Sequence, residues 1–415
     1  MKKRLLAMVM TVAMTVGMVA GLSGCETDGE PIVVQGITDT TVLVANSAAA
    51  SGPFAPVGVP FNAGIRAYFR MVNEGEGGVD GRQIEFLHYT DDGFDPVAGR
   101  AALEGMVEDA QVFALVGHFG TPVVAATIDD IKAYGIPAVY FATGIGQLYA
   151  PNARTNEEGF NLFPVQPVYQ TEGRLLAAYA AGMFGASRVG VIYTNDDAGT
   201  DLYYGIRYQF NMLPGVEVVS AMVTAGSPDV SAAVTTIRDA DVDFIIVASI
   251  QATMPTIVIE MAAQGMGIDA ITSYVNVSDA MSNMVIDHIE GNFNVYGTGW
   301  IDIGGNLEDL DLFVEWIEPD FAMNAFAQAG WIAGHFFAEG MRRLVGQEVT
   351  WESYMAALES APIRTPWGGY IDFSNGRREG TQEMNLSRII RVSDEFPLGW
   401  EPVAPLAGIS TLLGQ

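Results

Sequence analysis

The sequence predicts an α/β protein of two doubly wound parallel-sheet lobes with an interlobe cleft. Short β-branched runs alternate with helix-length amphipathic segments from Val42 to Tyr274, and that alternation implies parallel sheets joined by right-handed crossovers. The alternation is also too long for one sheet, because 391 of the 415 residues follow an N-terminal apolar leader ending at residue 24. Two lobes are the simplest solution, and the cleft then lies at the carboxyl ends of the strands.

Residues 25–36 are polar, carry Gly29, Pro31 and Gly36, and read as a tether. Strands are predicted at Val42–Ala45, Gln83–His88, Val112–Gly117 and Ala138–Ala142. Between them Phe61, Ile65, Phe69 and Val72 recur on one helical face, and Val97–Asp109 and Val123–Tyr134 behave similarly. The second half repeats the rhythm. Strands at Arg188–Thr194, Val216–Val223, Asp243–Ser249 and Asp269–Tyr274 alternate with helices at Thr200–Met212, Val230–Ala240 and Met254–Gln264. After residue 300 the pattern changes to helices at Asn306–Trp316, Met323–Val345 and Trp351–Ser360. Phe326, Gly330, Trp331, Gly334 and Phe337 share one side of the second of these. Gly368–Phe373 and Ser387–Val392 read as two closing strands, and residues 396–415 as a C-terminal tail.

The leader has its own chemistry. Lys2-Lys3-Arg4, the apolar stretch Leu5 to Leu22 and the tetrad Leu22-Ser23-Gly24-Cys25 look like a bacterial lipobox, in which Cys25 takes the lipid and residues 1–24 are cut away. The mature protein is then exported and lipid-anchored, on the outer face of the cytoplasmic membrane or on the outer membrane. Cys25 is the sole cysteine, so neither a disulfide framework nor a cysteine metal site is expected. Formal net charge is −29, and loss of Lys2, Lys3 and Arg4 leaves 17 basic against 49 acidic residues, or −32. So acidic a surface repels nucleic acid and anionic lipid, keeps the protein soluble, and suits a saline habitat.

Several motifs, taken in order, resemble the type I periplasmic solute-binding proteins, in the branch that contains the leucine/isoleucine/valine receptors of ABC importers. They are Ser51-Gly52-Pro53, Asn73, Gly77 through Arg82, Asp91 through Pro96, Gly117 through Thr121, and Gly135-Ile136-Pro137. In the second half Arg188 through Ile192, Gly199 and Asp243-Phe244 continue the match, which covers nearly all of residues 37–395. The resemblance implies three crossings between lobes. The N-terminal lobe would take 37–160 plus 299–362, and the C-terminal lobe 161–298 plus 363–395. It also implies a small-molecule ligand and an ABC permease as partner; a monomer is expected, without cofactor, and the acidic charge and scattered histidines point away from nucleic acid and metal.

Within the cleft, the resemblance places a ligand carboxylate at the helix start Gly120-Thr121-Pro122, with Thr121 expected as the N-cap and Pro122 in the first helical position. A second anion contact falls at Ala142-Thr143-Gly144, where Gly144 occupies the family's threonine position. Acidic residues that meet an amino-acid ammonium are replaced by Tyr169 and by Val275 or Asn276; wall tyrosines are replaced by Val57, Ala198 and Ile250. An ammonium closed into such a cleft costs on the order of 3–5 kcal/mol. Free α-amino acids are therefore expected to bind poorly unless Glu172 or Asp279 swings in, and a carboxylate or largely apolar solute fits better. The alternatives are an amino-acid receptor with a rearranged pocket, or the ligand-sensing subunit of a membrane signalling system. Phe94 and Gly120 stand where amino-acid-binding members carry a disulfide, with Phe94 expected to fill the gap at the cleft mouth.

An enzyme is not expected. His88, His118, His288 and His335 are scattered, and His118 reads as a packing residue near the cleft. His335 and Glu339, four apart on one helix, lack a third metal ligand. No Gly-x-Ser-x-Gly, phosphate-binding loop or dinucleotide fingerprint occurs. Asp91, Asp92, Asp95 and the Asp196-Asp197 pair read as exposed loop acids.

Overall fold

The computed structural model describes residues 34–154, 158–251, 253–302 and 307–415; the leader and Cys25 lie outside them. The first sheet holds β1 (Thr41–Asn46), β2 (Gln83–His88), β3 (Ala114–Phe119), β4 (Ala138–Ala142) and β5 (Leu162–Phe163), in the order β2-β1-β3-β4-β5. Every pairing in it is parallel. Helices α1 (Ala55–Arg70), α2 (Pro96–Glu104) and α3 (Thr121–Tyr134) make its crossovers. Such a sheet is covered on both faces, which is why β3 is buried along its whole length.

The chain then builds α4 (Tyr169–Ala178), β6 (Arg188–Thr194), α5 (Asp197–Asn211), β7 (Glu217–Val223), α6 (Ser231–Arg238) and β8 (Phe244–Ala248). It continues with α7 (Thr253–Ala263), β9 (Ala270–Thr272), α8 (Asp279–Ile289) and β10 (Val295–Gly299). Helices α9 (Leu307–Trp316), α10 (Ala325–Arg342) and α11 (Trp351–Glu359) follow. The chain ends in β11 (Ile363–Arg364), β12 (Tyr370–Ile371), β13 (Met384–Ile389), β14 (Trp400–Ala407) and α12 (Ile409–Leu412). The second sheet runs β14-β13-β10-β9-β8-β6-β7, parallel among β6 to β10 and antiparallel at β13 and β14.

Helix α10 returns to the first sheet and packs along α1. Glycines set the approach: a Cβ on Gly64 would lie 1.9 Å from the Ala327 carbonyl oxygen, and one on Gly330 would lie 1.9 Å from that of Phe61. Trp331 fills the seam beside them, edge-on to Tyr68 and Phe313.

Three sequence expectations need correcting. Gly368–Phe373 does not close a sheet; within it Tyr370–Ile371 pair with Ile363–Arg364, and Ile363, Trp367, Ile371 and Phe373 join the core under the first sheet. The segment 396–415 is no loose tail, since β14 is the edge of the second sheet. Its Pro402 and Pro405 lack N–H groups, and an edge strand is where that is tolerated. Finally, β5 joins the first sheet although residue 161 was taken as the start of the second lobe.

Candidate functional site

Strand order locates the cleft. Each sheet reverses direction of build beside its first strand, at β1/β3 and at β6/β8, and the segments leaving the carboxyl ends of the strands face a common space of about 1110 Å³ including its open mouth. From the first sheet come Phe119 at the end of β3, Gly120 and Thr121 after it, and Ala142 at the end of β4. From the second come Ile250 and Gln251 after β8, Tyr274 and Val275 after β9, Gly299 at the end of β10, and Trp300 and Ile301 after it. Helix α1 adds Val57 and Phe61, and α10 adds Ala325, Phe326, Gln328 and Ala329.

Among the described residues the wall is uncharged. None of the 24 lining residues is Asp, Glu, Lys, Arg or His, and nine are aromatic. Burial pushes the Tyr169 phenol up to about 12, outweighing hydrogen bonds from Thr121, Thr143 and the Gly144 backbone that favour its ionised form. Tyr140 and Tyr274 are raised further by burial, so all three stay neutral at ordinary pH. Tyr140 is also held in a left-handed conformation, φ 60°, opposite Gly117, φ 73°, where the β3–β4 ladder skips one pair. Its hydroxyl donates to Gln166 Oε1 (3.0 Å), and Gln166 Nε2 donates to the Tyr274 hydroxyl (2.7 Å), which joins the two sides of the cleft floor.

The α3 start is built differently from the sequence expectation. Gly120, φ 92°, is the N-cap, with no side-chain cap, and Thr121 is the first helical residue. The Thr121 hydroxyl bonds instead to that of Thr143 (2.8 Å). An uncapped helix start thus opens on the cleft, favourable to a negative or carbonyl oxygen. Phe94 lies against Gly120: a Cβ there would come within 2.7 Å of its ring, which stacks on Phe54 at 3.7 Å.

Of the residues singled out from sequence, Gly120, Thr121, Ala142, Tyr169, Ile250, Val275, Val57 and Phe94 line the cleft. The others do not. Thr143 sits behind Thr121, and Gly144 is closed off by Pro167 and Tyr169. Ala198 is buried in α5. Asn276 is saturated, donating to Ser249 O and Thr272 Oγ1 (2.8 Å each) and accepting from Gln251 N (2.6 Å), so it fixes the loops after β8 and β9. His118 is buried, with Nε2 on Thr127 Oγ1 (2.8 Å) and its pKa pushed down to about 4 by burial.

Neither acid considered for the ammonium is available. Asp279 is exposed in the first turn of α8. Glu172 is fully buried beneath the floor, accepting from Tyr274 N, Thr298 Oγ1 and Ser273 Oγ at 2.8 Å each, and burial raises its carboxyl to about 7. The loop acids are likewise committed. Asp91 accepts from Ala50 N, Asp92 from Phe94 N, Asp95 caps α2 and Asp196 caps α5. His335 holds Tyr68 and the Arg364 carbonyl through its two nitrogens.

Sequence reasoning missed the α10 and β10 contributions, Trp300, Phe326 and Gln328 above all. Gln328 carried a signal, as a lone amide in the apolar run Ala325–Phe337.

Two α/β sheets closing on a ring-lined cleft are the architecture of a small-solute binding protein. The chain belongs to the periplasmic binding protein family, whose model matches residues 41–394. It is similar to a Leu/Ile/Val-binding protein homolog of Brucella suis biovar 1, 25% identical over 332 residues that cover 79% of this chain and 85% of the relative. An amino acid binding protein of Pseudomonas aeruginosa is 26% identical over 191 residues, 46% of this chain and 49% of that one. Among solved structures, a fatty acid ABC transporter substrate-binding protein from Thermomonospora curvata superposes with TM-score 0.75 at 16% identity, covering 93% and 96% of the two chains. A branched-chain amino acid ABC transporter protein from Thermus thermophilus with bound valine gives 0.73 at 15%, covering 91% and 100%. These likenesses establish the fold, and the family is one of extracytoplasmic solute-binding proteins that serve ABC transporters.

Proposed function

We propose that this chain is a lipid-anchored receptor that captures a small, largely apolar solute or a carboxylate in the interlobe cleft and delivers it to an ABC permease. Attachment through Cys25 and action as a monomer belong to the same reading, as does hinging of the two lobes about the three connecting segments. The observation that carries it is the wall: among the described residues it is built of rings, aliphatic groups and a few neutral polar ones, and the uncapped start of α3 faces it for an oxygen-bearing end. An α-amino acid would bring an ammonium that finds no carboxylate among the described lining residues, because Glu172 is turned away and held by three donors. The Thermomonospora curvata neighbour, named for fatty acids, and the Thermus thermophilus one, holding valine, show that the fold itself admits both classes. The wall here favours the former.

A thermal-shift panel of aliphatic and aromatic carboxylates, amides, amino acids and apolar metabolites tests the reading. A ligand at about 100 times its Kd adds roughly 2.7 kcal/mol, which is readily visible. Shifts confined to amino acids would overturn it.

A further inference from the structure

Two buried amides stand in the cleft wall, and they differ. Gln166 uses both ends, accepting from Tyr140 and donating to Tyr274. Gln328, one turn into α10, is fully buried, yet neither its Oε1 nor its Nε2 has a hydrogen-bond partner, and both are closed off from solvent. Native proteins rarely leave a buried donor and acceptor unpaired without a reason, because each loses its bonds to water and gains nothing. The position does not demand polarity for packing: its neighbours in α10 are Ala325, Phe326, Ala327, Ala329 and Gly330. Ala325 and Ala329 are small, half-buried and part of the same wall, so the amide has room to swing into the cleft by a change of rotamer.

We propose that Gln328 is a specificity-determining ligand contact, pairing through both its donor and its acceptor with a carboxamide, lactam or similar neutral edge of an apolar solute. This rests on the reading of the cleft as an apolar-solute site and narrows it. A carboxylate offers acceptors alone and would leave Oε1 unpaired. An amide edge satisfies both atoms and brings no charge into an uncharged wall.

Titration calorimetry of the full chain and of Gln328→Met with phenylacetamide, N,N-dimethylphenylacetamide and phenylacetate tests this. Methionine keeps the length of the side chain and removes its polar atoms. The wild type should prefer phenylacetamide over its dimethyl analogue by about tenfold. Gln328→Met should lose that preference while its ligand-free melting temperature rises. A preference that survives in the variant, or its absence from the wild type, overturns the role of Gln328, even where phenylacetate binds and the apolar-solute reading stands. If none of the three probes binds, that reading falls and takes the proposal with it.

Discussion

Glu172 shows how one side chain can be legible by type and illegible by role. Its carboxyl sits beneath Tyr169 and Tyr274, pins the ends of β9 and β10 through three hydrogen bonds, and has its pKa raised by burial from 4.5 to about 7. A raised acid pKa means that the native state holds more protons than the unfolded chain between those values. Its contribution is therefore present at low pH and lost as pH rises through about 7. Buried His118, lowered from 6.5 to about 4, acts in the opposite sense and loses stability as pH falls below 6.5. The two partly cancel in the wild type, so the variant exposes the effect. Glu172→Gln keeps the acceptor for Tyr274 N and Thr298 and donates to Ser273; its melting temperature relative to wild type should climb between pH 5 and pH 8. A difference that stays level across that range would remove the buried acid from the account.

At the scale of elements, the α1–α10 contact is a joint that glycine makes possible. Gly64 and Gly330 let each backbone touch the other, and an added methyl at either would meet a carbonyl oxygen at 1.9 Å. Gly330→Ala should force the helices apart and cost about 3 kcal/mol or more; a urea midpoint within error of wild type would contradict this packing. Elements of the first half were legible because short apolar strand runs and 3.6-residue periodicity alternate there; at Gln83–His88 and at the β-branched run Arg188–Thr194 the expected and observed bounds coincide. Strand β14 was not, because Pro402 and Pro405 speak against a strand in any position but an edge, and edge position is set by tertiary structure. The same holds for the cleft. Gly120, Thr121 and Phe94 were legible from motifs next to a strand end, whereas Trp300 and Gln328 reach the cleft only because the chain crosses back, which no local pattern encodes.

The whole molecule combines a heavily acidic exterior with an uncharged cleft. A net charge of −29 repels itself in the folded state, and salt screens that repulsion. The melting temperature should therefore rise between about 0.05 M and 1 M salt; a flat profile would count against both the charge argument and a saline habitat. Inside, charge is kept away from the ligand space by covering Glu172 and by holding Tyr140, Tyr169 and Tyr274 neutral. That division rests on one comparison of ligands alike in shape and different in the ammonium alone. Calorimetry with L-leucine and with its deaminated analogue 4-methylpentanoate makes it directly. 4-Methylpentanoate should bind at least about a hundredfold more tightly, as an unpaired buried ammonium costs several kcal/mol. Leucine binding as tightly as the acid, or more so, would contradict it.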